Sequence, residues 1–252
     1  MSDLVLLVDV GNSTTKTASW SVSNGVRRLS AWPTRQTGST PGSMTSEPWT
    51  GAVISSVAPA DTHIQFLADL RAQGILTVDV SAGLVKSMNL VSGLYSGQGA
   101  DRVANVIAMS ALYPLPALCV DVGTAVTFDL VNSSRCFAGG LIAPGPSLMS
   151  GALAEGTARL PRIDELGSGS LLENTTRGAI SSGCWWGGLA LIAGILDLLS
   201  RRCVRWRSLI VTGGIGKRYS PGIPFPHIVD PDLTFKGMAL VWEARNTGAD
   251  TR

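Results

Sequence analysis

The sequence has little charge. Only 15% of its 252 residues are Asp, Glu, Lys or Arg, against ~25% in typical soluble domains. The 20 basic and 18 acidic residues leave a net charge of +2. With no Lys/Arg cluster, that balance supplies no field for nucleic acid and excludes it as an expected partner. Cysteine is scarce as well: four residues, none at CxxC spacing, which excludes a disulfide framework. Cys119 sits inside an apolar run and reads as a small core residue. The two histidines, His63 and His227, lie in different halves without partners at metal spacing. Long hydrophobic runs are also missing. Leu4–Val8 lacks a basic flank and is too short for a signal peptide. Leu189–Leu199, about 11 residues, falls short of the ~20 that span a bilayer. These absences predict a soluble cytoplasmic chain with no membrane partner. A hydrophobic fraction of 45% excludes disorder. So little charge also leaves a thin polar coat for a monomer and hints at a surface buried against another subunit.

Glycine is what the chain has in excess, 29 residues. Its placement follows an internal repeat. Residues 6–16 read LLVDVGNSTTK and residues 118–129 read LCVDVGTAVTFD. Each is an apolar strand, then Asp-Val-Gly, then small hydroxyl residues, and the copies lie nearly half the chain apart. The spacing predicts two similarly folded halves with a cleft between them.

Strands are expected at Leu4–Asp9 and Thr14–Trp20 (a hairpin around Gly11-Asn12), Ala52–Ser56, Thr77–Val80, 117–131 (the second hairpin), Cys136–Ile142 and Leu209–Thr212. Helices are expected at Ile64–Gln73 (capped by Asp61, ended by Gly74), Ala100–Leu112, Ser147–Thr157, Gly178–Leu199 and Phe235–Ala244. Glycines interrupt the fourth of these, at 183, 187, 188 and 194. Ser30–Thr50 is rich in Ser, Thr, Pro and Gly and reads as loops around short strands. Asn246–Arg252 reads as a frayed tail. The mixture of elements is α/β.

The chemistry-bearing residues gather at the turns. Asp9 ends a buried strand, and Gly11 permits a tight turn whose backbone N–H groups can approach a phosphate. Asn12, Ser13, Thr14 and Thr15 add short donors and Lys16 a positive charge. Asp9 can also hold a phosphate-bound Mg²⁺. An ordinary hairpin turn would favour Asn and Gly equally. The second copy, Asp121 to Asp129, makes a clamp across a nucleotide's phosphates the stronger reading. Val211-Thr-Gly-Gly-Ile-Gly216 follows a buried strand and suits close approach of adenosine. Gly99-Ala100-Asp101-Arg102 precedes an amphipathic helix. Asp101 is either a helix cap or a base that takes a proton from a substrate hydroxyl. Arg102 can neutralise substrate or phosphoryl charge. Trp185 and Trp186 read as helix-packing or interface residues.

The three-part pattern resembles the actin, sugar kinase and Hsp70 superfamily. DVGNSTTK, GADR, DVGTAVTFD, GGLIAPG and GTARLP, in this order, closely resemble the type III pantothenate kinases. That resemblance implies two actin-like (ribonuclease H-like) halves, 1–115 and 116–252, with a nucleotide cleft between them. It implies phosphorylation of pantothenate by ATP with Mg²⁺, the first step of coenzyme A biosynthesis, in a homodimer that uses a monovalent cation, K⁺ or NH₄⁺. Residue by residue, it implies ATP binding by Asp9, Val10, Gly11, Asn12, Ser13, Thr14, Thr15, Lys16 and Thr124. It implies pantothenate binding by Gly99, Ala100, Asp101, Arg102 and Thr176, with Thr175 as the register alternative. Asp101 is then the general base and Asp121 the monovalent-cation ligand. The family's substrate-contacting Tyr falls seven residues before Gly99, where this chain has Ser92; Tyr95 is the nearest tyrosine. The competing expectations are a non-catalytic ATP-binding regulator of the same fold and another small-molecule kinase of the superfamily.

Overall fold

Two five-stranded sheets carry the architecture. The computed structural model describes residues 4–34, 47–202 and 204–249. Residues 35–46 of the segment expected to form loops lie outside these, as do Cys203 and the last three residues of the tail.

The first sheet contains β1 (Val5–Val10), β2 (Thr14–Ser21), β3 (Gly25–Pro33), β4 (Gly51–Ser56) and β5 (Thr77–Asp79), in the order β3-β2-β1-β4-β5. The second contains β6 (Ala117–Val122), β7 (Ala125–Val131), β8 (Phe137–Pro144), β9 (Ser208–Thr212) and β10 (Ile228–Val229), in the order β8-β7-β6-β9-β10. The two orders are equivalent strand for strand. In both, the strand that ends in Asp-Val is central and runs parallel to its neighbour: β1 to β4, and β6 to β9. The duplication expected from the repeated DVG turn is therefore present in the topology.

The central strands are mostly apolar because helices cover them. Leu6, Val8 and Val10 of β1, with Ala52 and Ile54 of β4, pack on Phe66, Leu67 and Leu70 of α1 (Ala60–Ala72). The opposite face of β4 meets α3 (Ala100–Leu112) and α7 (Leu233–Ala249). In the second sheet, Leu118, Val120, Val122, Leu209 and Val211 pack on Trp185, Ile192 and Leu196 of α5 (Thr176–Arg201). Those three side chains recur at helical spacing, so one stripe of α5 is buried. In each half the aspartate of the repeat alternates away from this packed face.

The chain divides into two units. One comprises residues up to Tyr113, Val131–Ala138 and Asp232 onward; the other comprises Pro114–Leu130 and Gly139–Pro231. The resemblance to the family places 116–252 in one half. Helix α7 instead belongs with the first unit, because it packs on α3. They approach closely at Gly237, where any Cβ would enter the Ala104 carbonyl. Gly237→Ala is therefore expected to cost about 1–3 kcal/mol by overpacking, read as a lowered thermal midpoint; an unchanged midpoint would contradict this helix crossing.

Several element boundaries differ from expectation. Helix α1 starts at Ala60 behind Pro59, with Asp61 in its first turn and no side-chain cap. Its end is as expected: Gly74 follows with φ +75°, the left-handed residue that commonly terminates a helix. Helix α5 runs unbroken for 26 residues. Gly188 meets Pro146 and Tyr219 Oη, each 3.0 Å from where a Cβ would be, so close packing offsets the poor helix propensity of glycine. That helix is long and apolar enough to cross a membrane by length and composition, unlike the shorter tract read from sequence. Its buried stripe, however, lies in the core of the second sheet. Strand β3 was not anticipated as a single element. It is an edge strand with mostly exposed side chains, so it carries no apolar alternation. The six-residue α2 (Ala82–Ser87), capped by Ser81 Oγ accepting from the Leu84 N–H at 3.2 Å, was also missed. Helix α4 (Pro146–Gly156) opens on a proline, as suits a first helical position. The short α6 (Gly216–Tyr219) follows the glycines of the expected adenosine segment.

Candidate active site

The first turn joins β1 to β2 as an antiparallel hairpin in which Asp9 pairs with Lys16 and Val10 with Thr15. The Gly11 N–H donates to the Thr14 carbonyl at 3.1 Å. A Cβ on Gly11 would stand 2.9 Å from that oxygen, so the turn closes this tightly only with glycine. Lys16 Nζ lies 4.0 Å from Asp9 Oδ2. Asn12 and Ser13 are exposed and Thr14 is half-buried. Val10 and Thr15 differ from these. Val10 is in the core, and Thr15 is fully buried with its Oγ1 3.1 Å from Thr34 Oγ1. Thr34 Oγ1 donates to the Gly11 carbonyl at 2.7 Å. Of the residues assigned to this turn, Val10 and Thr15 have only backbone to offer a ligand. Thr34, not singled out from sequence, braces the turn from the end of β3.

The GADR segment opens α3. Gly99 holds the N-cap position without a side-chain cap. Asp101 Oδ1 accepts the Arg102 N–H at 2.7 Å. A Cβ on Gly99 would stand 2.7 Å from the same oxygen, so glycine makes room for the carboxylate. Burial raises the Asp101 pKa above its ordinary value. The Arg102 N–H, the Arg102 guanidinium and the Lys16 ammonium oppose that rise without cancelling it. Lys16 is thus electrically linked to both Asp9 and Asp101. The phosphate turn and the GADR segment share one neighbourhood within the first unit.

Arg102 is buried, its Nη1 donating to Tyr95 Oη at 3.2 Å. Its guanidinium lies 5.9 Å from the Phe137 ring centroid, and the Tyr95 and Phe137 rings are 6.2 Å apart. This aromatic pair holds the guanidinium in place. Ser92 meets this group through its backbone, its carbonyl accepting from the Phe137 N–H at 2.9 Å beside the bridge to Cys136. Tyr95 is therefore the tyrosine beside Arg102. Phe137 was not anticipated, because only the fold brings it next to residue 102.

In the second unit three glycine turns are stitched together. The Gly145 N–H donates to the Thr124 carbonyl at 2.9 Å, and the Ile215 N–H to the Val122 carbonyl at 3.1 Å. A Cβ on Gly145 would enter the carbonyls of Gly123 and Thr124. Gly213 has φ +94°, and a Cβ there would strike Asp121 Oδ1 and the Val122 backbone. The DVGT turn, the end of GGLIAPG and the GGIG segment thus form one glycine-lined surface around Asp121. Cys119 is buried, and its thiol pKa is raised by that burial and then by Asp121, Asp129 and Asp230. It stays an uncharged core thiol, as expected.

Thr175 and Thr176 separate cleanly. Thr175 Oγ1 caps α5, accepting the Gly178 N–H at 3.1 Å. Thr176 lines an apolar cavity of about 920 Å³ with Leu148, Met149, Leu153, Ile180 and Cys184. His63 pairs with Asp79, and His227 with Ser220 and the Phe225 carbonyl; neither joins these groups.

The sequence profile of the family described as type III pantothenate kinase matches residues 5–198. The type III pantothenate kinase of Koribacter versatilis is 34% identical over 203 residues, covering 80% of this chain and 74% of that protein. The chain belongs to the type III pantothenate kinase family. The family member from Rhodospirillum centenum is 33% identical over 195 residues, 75% of each chain. The fold agrees. A Campylobacter jejuni protein described as a conserved Baf family transcriptional activator superposes with TM-score 0.57 at 20% identity, over 96% of this chain and 99% of that one. Component A of the Acidaminococcus fermentans (R)-2-hydroxyglutaryl-CoA dehydratase gives TM-score 0.54 at 12% identity, over 98% of this chain and 100% of that one. At such identities these likenesses speak for the fold alone.

Proposed function

We propose that the chain transfers the γ-phosphoryl group of ATP to the primary hydroxyl of pantothenate, giving 4′-phosphopantothenate and opening coenzyme A synthesis. The observation that carries this reading is the Asp101 carboxylate, with its raised proton affinity, set within reach of the Lys16 charge beside Asp9. The acceptor oxygen forms its bond to the γ-phosphorus as the bond to ADP breaks, and the hydroxyl proton passes to Asp101. Arg102 and Lys16 offset the charge that builds on the phosphoryl oxygens.

The residues present fit Mg·ATP. Asn12 and Ser13 are exposed at the tip of the turn with Thr14 half-buried beside them, so short polar groups are presented to phosphate oxygens. Asp9 stands at its edge and would hold the ion, which shields the phosphate charges during transfer. Thr124 and the glycines around it are the matching contact in the second unit, and Asp121 is the ligand for K⁺ or NH₄⁺. Gly99, Ala100, Asp101 and Arg102, with Tyr95 behind Arg102, receive pantothenate.

Thr176 reaches pantothenate in a homodimer. Exposed Leu148 and Leu153, which line the Thr176 cavity, form an apolar surface suited to a second copy, in keeping with the low charge content. The partners are then small molecules and a twin subunit in the cytoplasm, without nucleic acid or membrane. A mass of two chains by light scattering is expected, and a monomer at micromolar concentration would contradict the dimer.

Tyr95→Phe removes a hydrogen bond to a buried charged group and is expected to raise the pantothenate KM about tenfold with the ATP KM unchanged. Unchanged KM values for both would detach Tyr95 from the site. The reading as a whole is tested by ADP release with ATP and pantothenate, with and without K⁺. Pantothenate-dependent release stimulated by K⁺ is expected; none in either condition would refute it. A non-catalytic regulator would bind ATP without that release.

A further inference from the structure

Buried polar side chains almost always find a hydrogen-bond partner, so a buried amide without one calls for an explanation. Gln98 is 7% exposed, and neither its Oε1 nor its Nε2 has a partner. Its backbone N–H is engaged, donating to the Tyr95 carbonyl at 3.2 Å. The unmet capacity is therefore in the carboxamide, with two donors on nitrogen and two lone pairs on oxygen.

A second buried unpartnered group is on β4. Ser55 is fully buried and its Oγ has no partner. It pairs across the sheet with Asp9, whose other neighbour is Lys16. Because Ile54 faces α1, strand alternation puts Ser55 and Val57 on the opposite face, toward α3. There the position of a Gly99 Cβ is 3.4 Å from Val57 Cγ1 and 2.7 Å from Asp101 Oδ1. Gln98 immediately precedes the glycine that makes room for the Asp101 carboxylate, and Ser55 lies two residues before the Val57 that this glycine approaches. The fold leaves hydrogen-bonding capacity unused beside its candidate base.

We propose that Gln98 is a specificity-determining residue for the acceptor, its carboxamide pairing with the secondary amide of pantothenate. This rests on the reading of the chain as a pantothenate kinase. The N–H and C=O of a trans secondary amide point to opposite sides, so a carboxamide meets one of them, accepting from the N–H or donating to the carbonyl. Gln98 and Tyr95 share a short segment with left-handed glycines at Gly93 (φ +79°) and Gly97 (φ +85°). A site that hydrogen-bonds its substrate discriminates strongly against analogues that lack the matching group.

The test is Gln98→Leu, similar in size and without hydrogen-bonding groups, with Gln98→Met as the unbranched alternative should Leu not fold. The expected result is a pantothenate KM raised tenfold or more, an ATP KM within twofold, and a thermal midpoint equal to or above wild type, since no hydrogen bond of the free protein is lost. Ser110→Ala, which removes another unpartnered buried hydroxyl farther along α3, should leave both KM values unchanged. A Gln98→Leu protein with wild-type KM for pantothenate would overturn this inference alone. So would a lowered midpoint with both KM values raised alike, the mark of a structural role. Wild-type protein that releases no ADP with pantothenate would overturn the proposed function, and this inference with it.

Discussion

Replacing Asp101 with asparagine lowers turnover by at least about a hundredfold, the lower end of what a general base contributes, and leaves the fold intact. The side chain keeps its size, and an oxygen remains to accept the Arg102 N–H now made at 2.7 Å. What disappears is the basic site for the acceptor's proton. Stability should move the other way from activity. Burial holds the Asp101 pKa above its unfolded value of about 3.8. The folded state therefore binds the proton more tightly, and stability falls as pH rises from the unfolded pKa through the folded one. Above that window the buried charge is a net cost, which asparagine removes. At pH 7 the variant should unfold no earlier than wild type. The same raised pKa predicts that wild-type kcat/KM declines on the acid side at a pH above the ordinary aspartate range. Near-normal turnover in the variant would remove Asp101 from the mechanism, and a large fall in its thermal midpoint would mean that the carboxylate is structural.

Gly213→Ala has the largest expected effect on the second unit. The left-handed backbone at φ +94° penalises any side chain, and a Cβ there would strike Asp121 Oδ1 and the Val122 backbone. Strain and overpacking together should cost about 2–5 kcal/mol. Any folded fraction should bind ATP poorly, because relief of the clash must move Asp121 or the DVGT turn. The adjacent Gly214 is the control: nothing lies within 4 Å of its Cβ position. Gly214→Ala should stay within about 0.5 kcal/mol of wild type. Thermal unfolding and nucleotide titration of both variants check this. Equal midpoints would contradict the close approach of the GGIG segment to Asp121.

The parts of this fold legible in sequence are those written by local rules. Asp-Val-Gly between an apolar run and hydroxyl residues marks a strand and its turn, and its recurrence marks the duplicated sheet. Helix α3 was legible from the spacing of Val103, Val106 and Ile107. Strand β3 was not, since an exposed edge strand carries no apolar alternation. The glycines of α5 misled for a different reason: Gly188 sits where Pro146 and Tyr219 come close, a packing need invisible along the chain.

The candidate site divides in the same way. Asp9, Gly11, Lys16 and Asp121 stand out as residue types in turns. By position alone Asp101 reads first as a helix cap, and its burial beside Arg102 becomes visible only in the fold. Thr34, Phe137 and the unmet amide of Gln98 needed tertiary contacts, because their neighbours in space are far away in sequence or absent. Thr15 shows the converse: a hydroxyl in the right motif can be turned into the core to brace the turn.

The most direct test identifies the product. Wild-type protein incubated with Mg·ATP and pantothenate should convert pantothenate to a species heavier by one phosphoryl group, with ³¹P and ¹H NMR placing the phosphate on the primary hydroxyl. Asp101→Asn protein should form about a hundredth as much or less in the same time. Unmodified pantothenate after incubation with folded, ATP-binding wild-type protein would contradict the account.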